Sequence, residues 1–593
     1  MFSAGSLNGM AAVTNTLLWQ KLREWGTNCY RQTDCCGSFE HAAGVTVGGV
    51  KPLHNRIQNF ATATQAAVRA IELGLQADYG DGASNPTWDL TANLTAAAHS
   101  DPVFATAITA AVERAFLTRM RLGEFDSEAR NPFLAPDVRD LDSEANRASA
   151  RRAAAGSIVM LRNEGSLLPL RQNRTRTIAI IGPFATCHKH WCAEQDNCGH
   201  SDLQCEYLHS YTGHPSRIST ILGAVSEEAQ TAGMAVTYAL GANVSGPTHA
   251  AELARAVKLA GEADVTVLAL GLGDLVEGEG TDRERDQGLP DHRSNALGFP
   301  DAQQQLLEAV RKAQLERAEQ GLSATAPKLV LTITSAGGVD VDPTLSDAIL
   351  QLWYGGEETG HGLCDVLFGR VSPSGRLPIT IHPEHYLAGI GPVNDLNMRF
   401  ESGQGRTYRY LRSQATDARF SFGFGLSYSS FAYSAAERGT ADAVLVGGDR
   451  GAALKIIAVK VQNVGSVDAK EIMELYVTAP EVAGTVLPRY ELQGFKAVFL
   501  KVGEAQTIEF QLTKKQLMTV MVDGTRVLTK GKYVVSVAGH LPDDPRGVGN
   551  VVTQAFRLKA DDGEAHGLAD STEQIYHVRI EATKRVTTMA GRL

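Results

Sequence analysis

The chain has 593 residues, 43% of them hydrophobic and 21% charged, with a formal net charge of −10 at pH 7. That length gives room for three or four domains, because single cores seldom grow past about 250–300 residues. The charge is spread without basic blocks, which argues against a nucleic-acid partner, and no apolar stretch reaches the roughly 18–20 residues of a membrane span.

Taken in order, residues 1–125 read as helices alternating with short apolar runs. The opening "MFSAGSLNGMAAVTN" lacks the basic start and apolar core of a signal peptide. In "SDPVFATAITAAVERAFLTRMRLGEFD" the residues Phe104, Ile108, Ala111, Val112 and Ala115 fall on one helical face, and Gly123 can end the helix in a left-handed cap. Residues 127–175 read as a linker that includes an Ala/Arg-rich helix and the turn "RNEGSLLPL". Sequons at Asn93, Asn173 and Asn243 are compatible with secretion.

From 176 to 382 the pattern becomes regular. "TIAIIGP", "DVTVLALGLG", "KLVLTITSAGG" and "DAILQLWYGG" are unbroken apolar runs, separated by helical stretches such as "AAELARAVKLAGEAD" and "DAQQQLLEAVRKAQLERAEQ". Continuous apolar strands covered by helices mean a parallel sheet buried on both faces. Ligands of such sheets gather outside the carboxyl ends of the strands. The loop "GDLVEGEGTDRERDQG" hangs from that edge and carries Glu277, Glu279, Asp282, Glu284 and Asp286. Taken alone, a carboxylate-rich loop is usually solvated surface. The Gly271–Gly273 pair lacks the third glycine of a dinucleotide loop, which leaves a nucleotide-binding reading weak. His361 and His382 read as surface or interface histidines, and Asp365 as a local cap or pairing partner.

Within the same region "CHKHWCAEQDNCGHSDLQC" gathers Cys187, Cys192, Cys198 and Cys205 with His188, His190 and His200. The cysteine spacings lack the tight CxxC pairs of common zinc modules, so two disulfides are the first expectation and a metal ion the alternative. After residue 440 the period falls to two, as in "ALKIIAVKVQNVGSVDAKEIMELYVTAP" and "GKYVVSVAG", which predicts an antiparallel sandwich over 441–540. Residues 383–440 connect the two domains. Residues 541–593 read as a polar tail with one strand at "QIYHVRI".

Several segments together resemble glycoside hydrolase family 3, the family of many β-glucosidases and β-xylosidases. "WYGGEETG", "DVLFGRVSPSGRLPITI" and "FSFGFGLSYSSFAYS" are similar to its second-domain motifs. "VQNVGSVDAKEIMELYV" with "LQGFKAVFLKVGE" resembles its fibronectin-III-like domain. "MFSAGSLNGMAAVTNTLLWQKLREWG" resembles a late barrel segment, and "SYTGHPSRISTILGAV" leans toward the xylosidase and arabinosidase branch.

The resemblance implies a partial (β/α)8 barrel over 1–126, an α/β sandwich and a fibronectin-III-like β-sandwich. It implies a secreted, retaining, exo-acting β-glycosidase of the β-xylosidase type that hydrolyses oligosaccharides without metal or organic cofactor. Such a mechanism needs two carboxyl groups about 5–5.5 Å apart, one ionised to attack and one kept protonated. The motif around the family's nucleophile aligns with "WGTNCYRQTDCCGS" and points to Asp34. The acid/base loop aligns with "EGEGTDR" and points to Glu279, with Glu277 next in line.

Departures accompany the match. Arg31 and Gln32 stand where the nucleophile strand is normally apolar, and "ERDQGLPDHRSNALG" is an insertion after Arg283. A full barrel takes about 200–250 residues, and the resemblance begins near its sixth strand. The chain is therefore expected to be an incomplete copy of a longer enzyme, with weak or no turnover. A non-catalytic carbohydrate-binding or scaffold protein is the rival reading.

Overall fold

The computed structural model describes residues 6–7, 10–11, 63–75, 90–127, 130–131, 139, 141–187, 215–277, 297–320, 327–390, 399–436, 453–521, 526–560 and 578–582. The chain divides into two compact units, Met1–Leu141 and Asp142–Leu593.

In the first unit β1 (Ser6–Leu7) and β2 (Met10–Ala11) form an antiparallel pair, and three helices follow: α1 (Ala63–Leu73), α2 (Leu90–Ser100) and α3 (Pro102–Arg121). Asp101 starts α3 by accepting hydrogen bonds from the Val103 and Phe104 amides, and Pro102 occupies the first turn, where its missing N–H costs nothing. Gly123, at φ +74°, follows the end of the helix. Phe104 and Ala111 are buried, but Val112 is 47% exposed. It lies about 80° round the helix from Phe104, at the edge of the stripe. No parallel strand pair of a barrel is found among the described residues of this unit.

The second unit begins with α4 (Glu144–Ser157), capped by the Ser143 side chain. A six-stranded sheet runs in the order β3-β8-β7-β6-β4-β5. Its members are β3 (Val159–Asn163), β4 (Thr177–Ile181), β5 (Ala235–Ala239), β6 (Val265–Gly271), β7 (Lys328–Thr334) and β8 (Ala348–Gln351). All pairs are parallel except β3–β8. Every residue of β6 is buried, as a strand covered on both faces requires. The helices are α5 (Ile221–Thr231), α6 (Ala250–Glu262), α7 (Asp301–Glu319) and α8 (Thr359–Leu367). α8 packs on α4 and α5, while α6 packs on α7.

Residues 127–175 are thus more than a linker, because α4 and β3 join the α/β layers. β3 escaped the sequence reading because only three of its five residues are buried, in a strand too short to show a period.

The C-terminal strands are β9 (Phe431–Ala435), β10 (Ala453–Asn463), β11 (Ala469–Thr478), β12 (Glu491–Leu500), β13 (Ala505–Thr513), β14 (Met518–Val520), β15 (Arg526–Leu528), β16 (Gly531–Ala538), β17 (Val552–Ala560) and β18 (Val578–Ala582). Two antiparallel sheets, β13-β10-β9 and β12-β11-β16-β17-β18, share one apolar core, and β14 pairs with β15. β9 comes from the segment expected only to connect domains. β17 comes from the expected tail: Val552, Phe556 and Leu558 are buried, and Phe556 stacks on Tyr533 at 5.4 Å between ring centroids. Gln554 sits at the inward parity of this strand, which broke the alternation that marks a strand in sequence.

The α/β layers and the sandwich meet at a buried ionic cluster. Arg376 donates to the Gly425 carbonyl and, at 2.8 Å, to Glu471 of β11. Tyr433 also donates to Glu471, and Tyr476 donates to Glu474 at 2.7 Å. Burial pushes the Glu474 carboxyl up to about 7.

Candidate active site

Asp34 and Glu279 both lie outside the described residues. The root of the loop that carries Glu279 is described. β6 ends at Gly271, and the main chain then passes through Leu272, which is buried and donates from its amide to the Thr334 carbonyl at 3.0 Å. Gly271 must be glycine, since a Cβ there would strike the Thr334 carbonyl and the Phe184 ring. Gly273, at φ +67°, turns the chain into one helical turn, Asp274–Glu277, in which the amides of Val276 and Glu277 bond back to the Gly273 carbonyl. Val276 is fully buried and anchors this turn.

Gln303, fully buried on α7, fixes the strand end. Its Oε1 accepts from the Gly271 amide at 2.9 Å, and its Nε2 donates to the carbonyls of Gly271 at 2.8 Å and Val244 at 2.6 Å. Gln303→Ala would leave one buried N–H without its acceptor and two carbonyls without a donor, at about 1–3 kcal/mol for each group not rescued by water. We expect a loss of roughly 2–5 kcal/mol in unfolding free energy, measured by urea denaturation. An unchanged midpoint would show that solvent replaces the amide.

Glu277 is held by both oxygens. Oε1 accepts from the Gly337 amide at 2.7 Å, and Oε2 accepts from the Ala336 amide at 2.6 Å and the Tyr354 hydroxyl at 2.8 Å. The partners belong to the turns that follow β7 and β8, so three consecutive strand exits meet on one carboxylate. The sequence reading identified the loop but gave no role to Gln303 or Tyr354. Neither sits in a charged cluster, and only the sheet order brings them to Glu277 or Gly271.

The remaining sequence candidates have local partners. Burial pushes Asp365 up, but hydrogen bonds from Arg151 and Arg370 outweigh it and hold the carboxyl below its usual range. His361 meets Glu358 at 2.6 Å. His382 stacks on Tyr386 at 3.7 Å, and burial pushes its imidazole down. Cys187 is disulfide-bonded, whereas Cys192, Cys198 and Cys205, and with them the expected pair of disulfides, lie outside the described residues. Among the described residues no group of three or more His, Cys, Asp or Glu is placed to hold a metal ion. Among them, too, no helix is long and apolar enough to cross a membrane.

Comparison with known proteins gives this geometry a context. Residues 158–428 match the glycosyl hydrolase family 3 C-terminal domain, and residues 471–540 match the fibronectin type III-like domain. The chain is 28% identical over 554 residues to the exo-1,4-β-xylosidase bxlB of Emericella nidulans, covering 91% of this chain and 63% of that protein. It is 32% identical over 392 residues to the thermostable β-glucosidase B of Acetivibrio thermocellus, covering 63% of this chain and 44% of that protein. The solved GH3 exo-β-xylosidase XlnD, in complex with a xylobiose aziridine activity-based probe, superposes with a TM-score of 0.70 at 24% identity, over 90% of this chain and 63% of that one. The chain therefore spans under two thirds of the length of these relatives.

Proposed function

Because residues 158–428 match the glycosyl hydrolase family 3 C-terminal domain and residues 471–540 a fibronectin type III-like domain, we propose that the chain is a retaining, exo-acting β-glycosidase of the β-xylosidase type. Its substrates would be oligosaccharides with a terminal pentose or hexose, and it would need no metal or organic cofactor. The observation that carries this reading is the rooting of the Glu279 loop at the carboxyl edge of the parallel sheet, where ligands of such sheets collect.

In this reading Asp34 attacks the anomeric carbon and forms a glycosyl-enzyme. Glu279 protonates the departing oxygen and then takes a proton from the water that releases the sugar. One carboxyl must be ionised while the other holds a proton, which calls for two environments of different polarity. The Cys187 disulfide supports passage through an oxidising compartment.

The test is hydrolysis of aryl β-xyloside, β-glucoside and α-arabinofuranoside by the full chain. Asp34→Gly should abolish turnover, and azide should restore it with formation of a glycosyl azide of inverted configuration. Calorimetric binding of xylo-oligosaccharides with no product released would instead identify a carbohydrate-binding protein.

A further inference from the structure

We infer that Glu277 is the positioning residue of the acid loop: its carboxylate ties the exit of β6 to the exits of β7 and β8, and so fixes the point from which the chain runs on to Glu279. The inference rests on the hydrolase reading above and assigns that site a residue outside the reacting pair.

Three observations carry it. The first is how the carboxylate is used. Oε1 and Oε2 accept from two successive main-chain amides, Gly337 and Ala336, and Oε2 also accepts from the Tyr354 hydroxyl. Oxygens engaged with donors in this way do not present a proton to a substrate, which removes Glu277 as the general acid. The second is the covalent distance. Only Gly278 separates Glu277 from Glu279, so fixing Glu277 bounds where the next carboxylate can reach. The glycine between them adds no restraint of its own, because its backbone is the least restricted of all residues.

The third is the support given to the far side of the tie. Trp353 precedes Tyr354 and sits at φ +58°, a left-handed conformation that an L side chain seldom adopts. Its indole N–H donates to the Ser157 carbonyl at 3.1 Å, at the end of α4. Strain of this kind costs on the order of 1–3 kcal/mol and persists only where surrounding contacts enforce it. Here the enforced turn delivers the Tyr354 hydroxyl to Glu277. On the near side, Gln303 and buried Val276 hold the strand end and the helical turn. The tie therefore runs between two fixed ends.

A positioning residue and a merely structural one differ in how their loss depends on the leaving group. Phenyl β-xyloside needs a proton on its departing oxygen, whereas 2,4-dinitrophenolate leaves without one. Misplacement of a catalytic group by about 1 Å can cost about 10²-fold. Glu277→Ala should therefore lower kcat/KM for phenyl β-xyloside by about 10²-fold and leave that for 2,4-dinitrophenyl β-xyloside little changed. Glu277→Gln should fall between, because its amide nitrogen must turn a donor toward at least one of the donors now served. Tyr354→Phe removes one of the three bonds and should give a smaller loss with the same leaving-group dependence.

Hydrogen exchange on peptides spanning residues 334–338 supplies a readout that needs no turnover. The Ala336 and Gly337 amides should be protected in the wild type and released in Glu277→Ala. Fast exchange there in the wild type overturns the tie. Equal losses on both substrates, or no loss on either, overturn the positioning role. A wild-type chain that cleaves neither substrate, in line with the weak or absent turnover expected from its sequence, leaves the exchange measurement to decide: release of the two amides in Glu277→Ala supports the tie, and unchanged protection overturns it.

Discussion

Glu279→Gln is expected to lower kcat/KM for phenyl β-xyloside by about 10²–10⁴-fold, the usual contribution of a general acid, while 2,4-dinitrophenyl β-xyloside is cleaved nearly as before. The amide keeps the size and the hydrogen-bonding capacity of the acid but has no proton to give. A substrate whose leaving group is stable as an anion does not need that proton, so only the poor leaving group reports the loss. The basic limb of the kcat/KM profile should also vanish, since that limb marks deprotonation of the acid in the free enzyme. Unchanged cleavage of phenyl β-xyloside would place the acid elsewhere in the chain. Glu277→Ala shows the same leaving-group dependence in the tie proposed above, but its pH profile should keep the basic limb, because the acid remains and is only misaimed.

The second large effect is on stability. Arg376, its side chain 10% exposed, pairs with buried Glu471 between the α/β layers and the sandwich. Arg376→Ala leaves the Glu471 carboxylate buried with only the Tyr433 hydroxyl, and breaking a buried pair from one side costs about 3–5 kcal/mol. Chemical denaturation should show the loss, and a change below about 1 kcal/mol would mean that water enters the gap. Arg376 also faces Glu474, whose other close partner is the Tyr476 hydroxyl.

The same cluster makes stability depend on pH. The folded Glu474 holds its proton up to about 7, above the unfolded value near 4.5. Between those two values the folded state binds more protons than the unfolded one, so the contribution of Glu474 to stability is greatest below about pH 4.5, falls as pH rises, and levels off above about pH 7. The contribution amounts to about 3 kcal/mol across the window. Glu474→Gln should remove this slope and raise stability at neutral pH, and an unchanged slope between pH 4.5 and 7 would assign the titration to another group.

The elements that could be read in advance were those with both faces buried or a full helical stripe. β6 and β7 carry runs of seven residues that pack on both sides, so nearly every position reports the same environment. β3, β9 and β17 are short or interrupted by a polar residue at an inward position, and a strand of five residues shows too little of its period to be told from a loop. Val112 failed for a related reason, since an apolar residue at the edge of a helical stripe is buried only if the neighbour reaches that far.

At the candidate site the division is sharper. The order of residues alone determined that a carboxylate-bearing loop follows an apolar strand ending in glycine, because hydrophobic runs and glycine act locally. It did not distinguish what Glu277 and Glu279 do, although they are two residues apart and chemically identical. Only the tertiary structure decided that Glu277 is spent on the Ala336 and Gly337 amides and on Tyr354. Those partners are 59, 60 and 77 residues away in the chain, and what brings them within hydrogen-bonding reach is the parallel pairing of β6 with β7 and of β7 with β8. Hydrogen bonds need directed contact at short range, and the contacts between distant segments are set by how the sheet assembles.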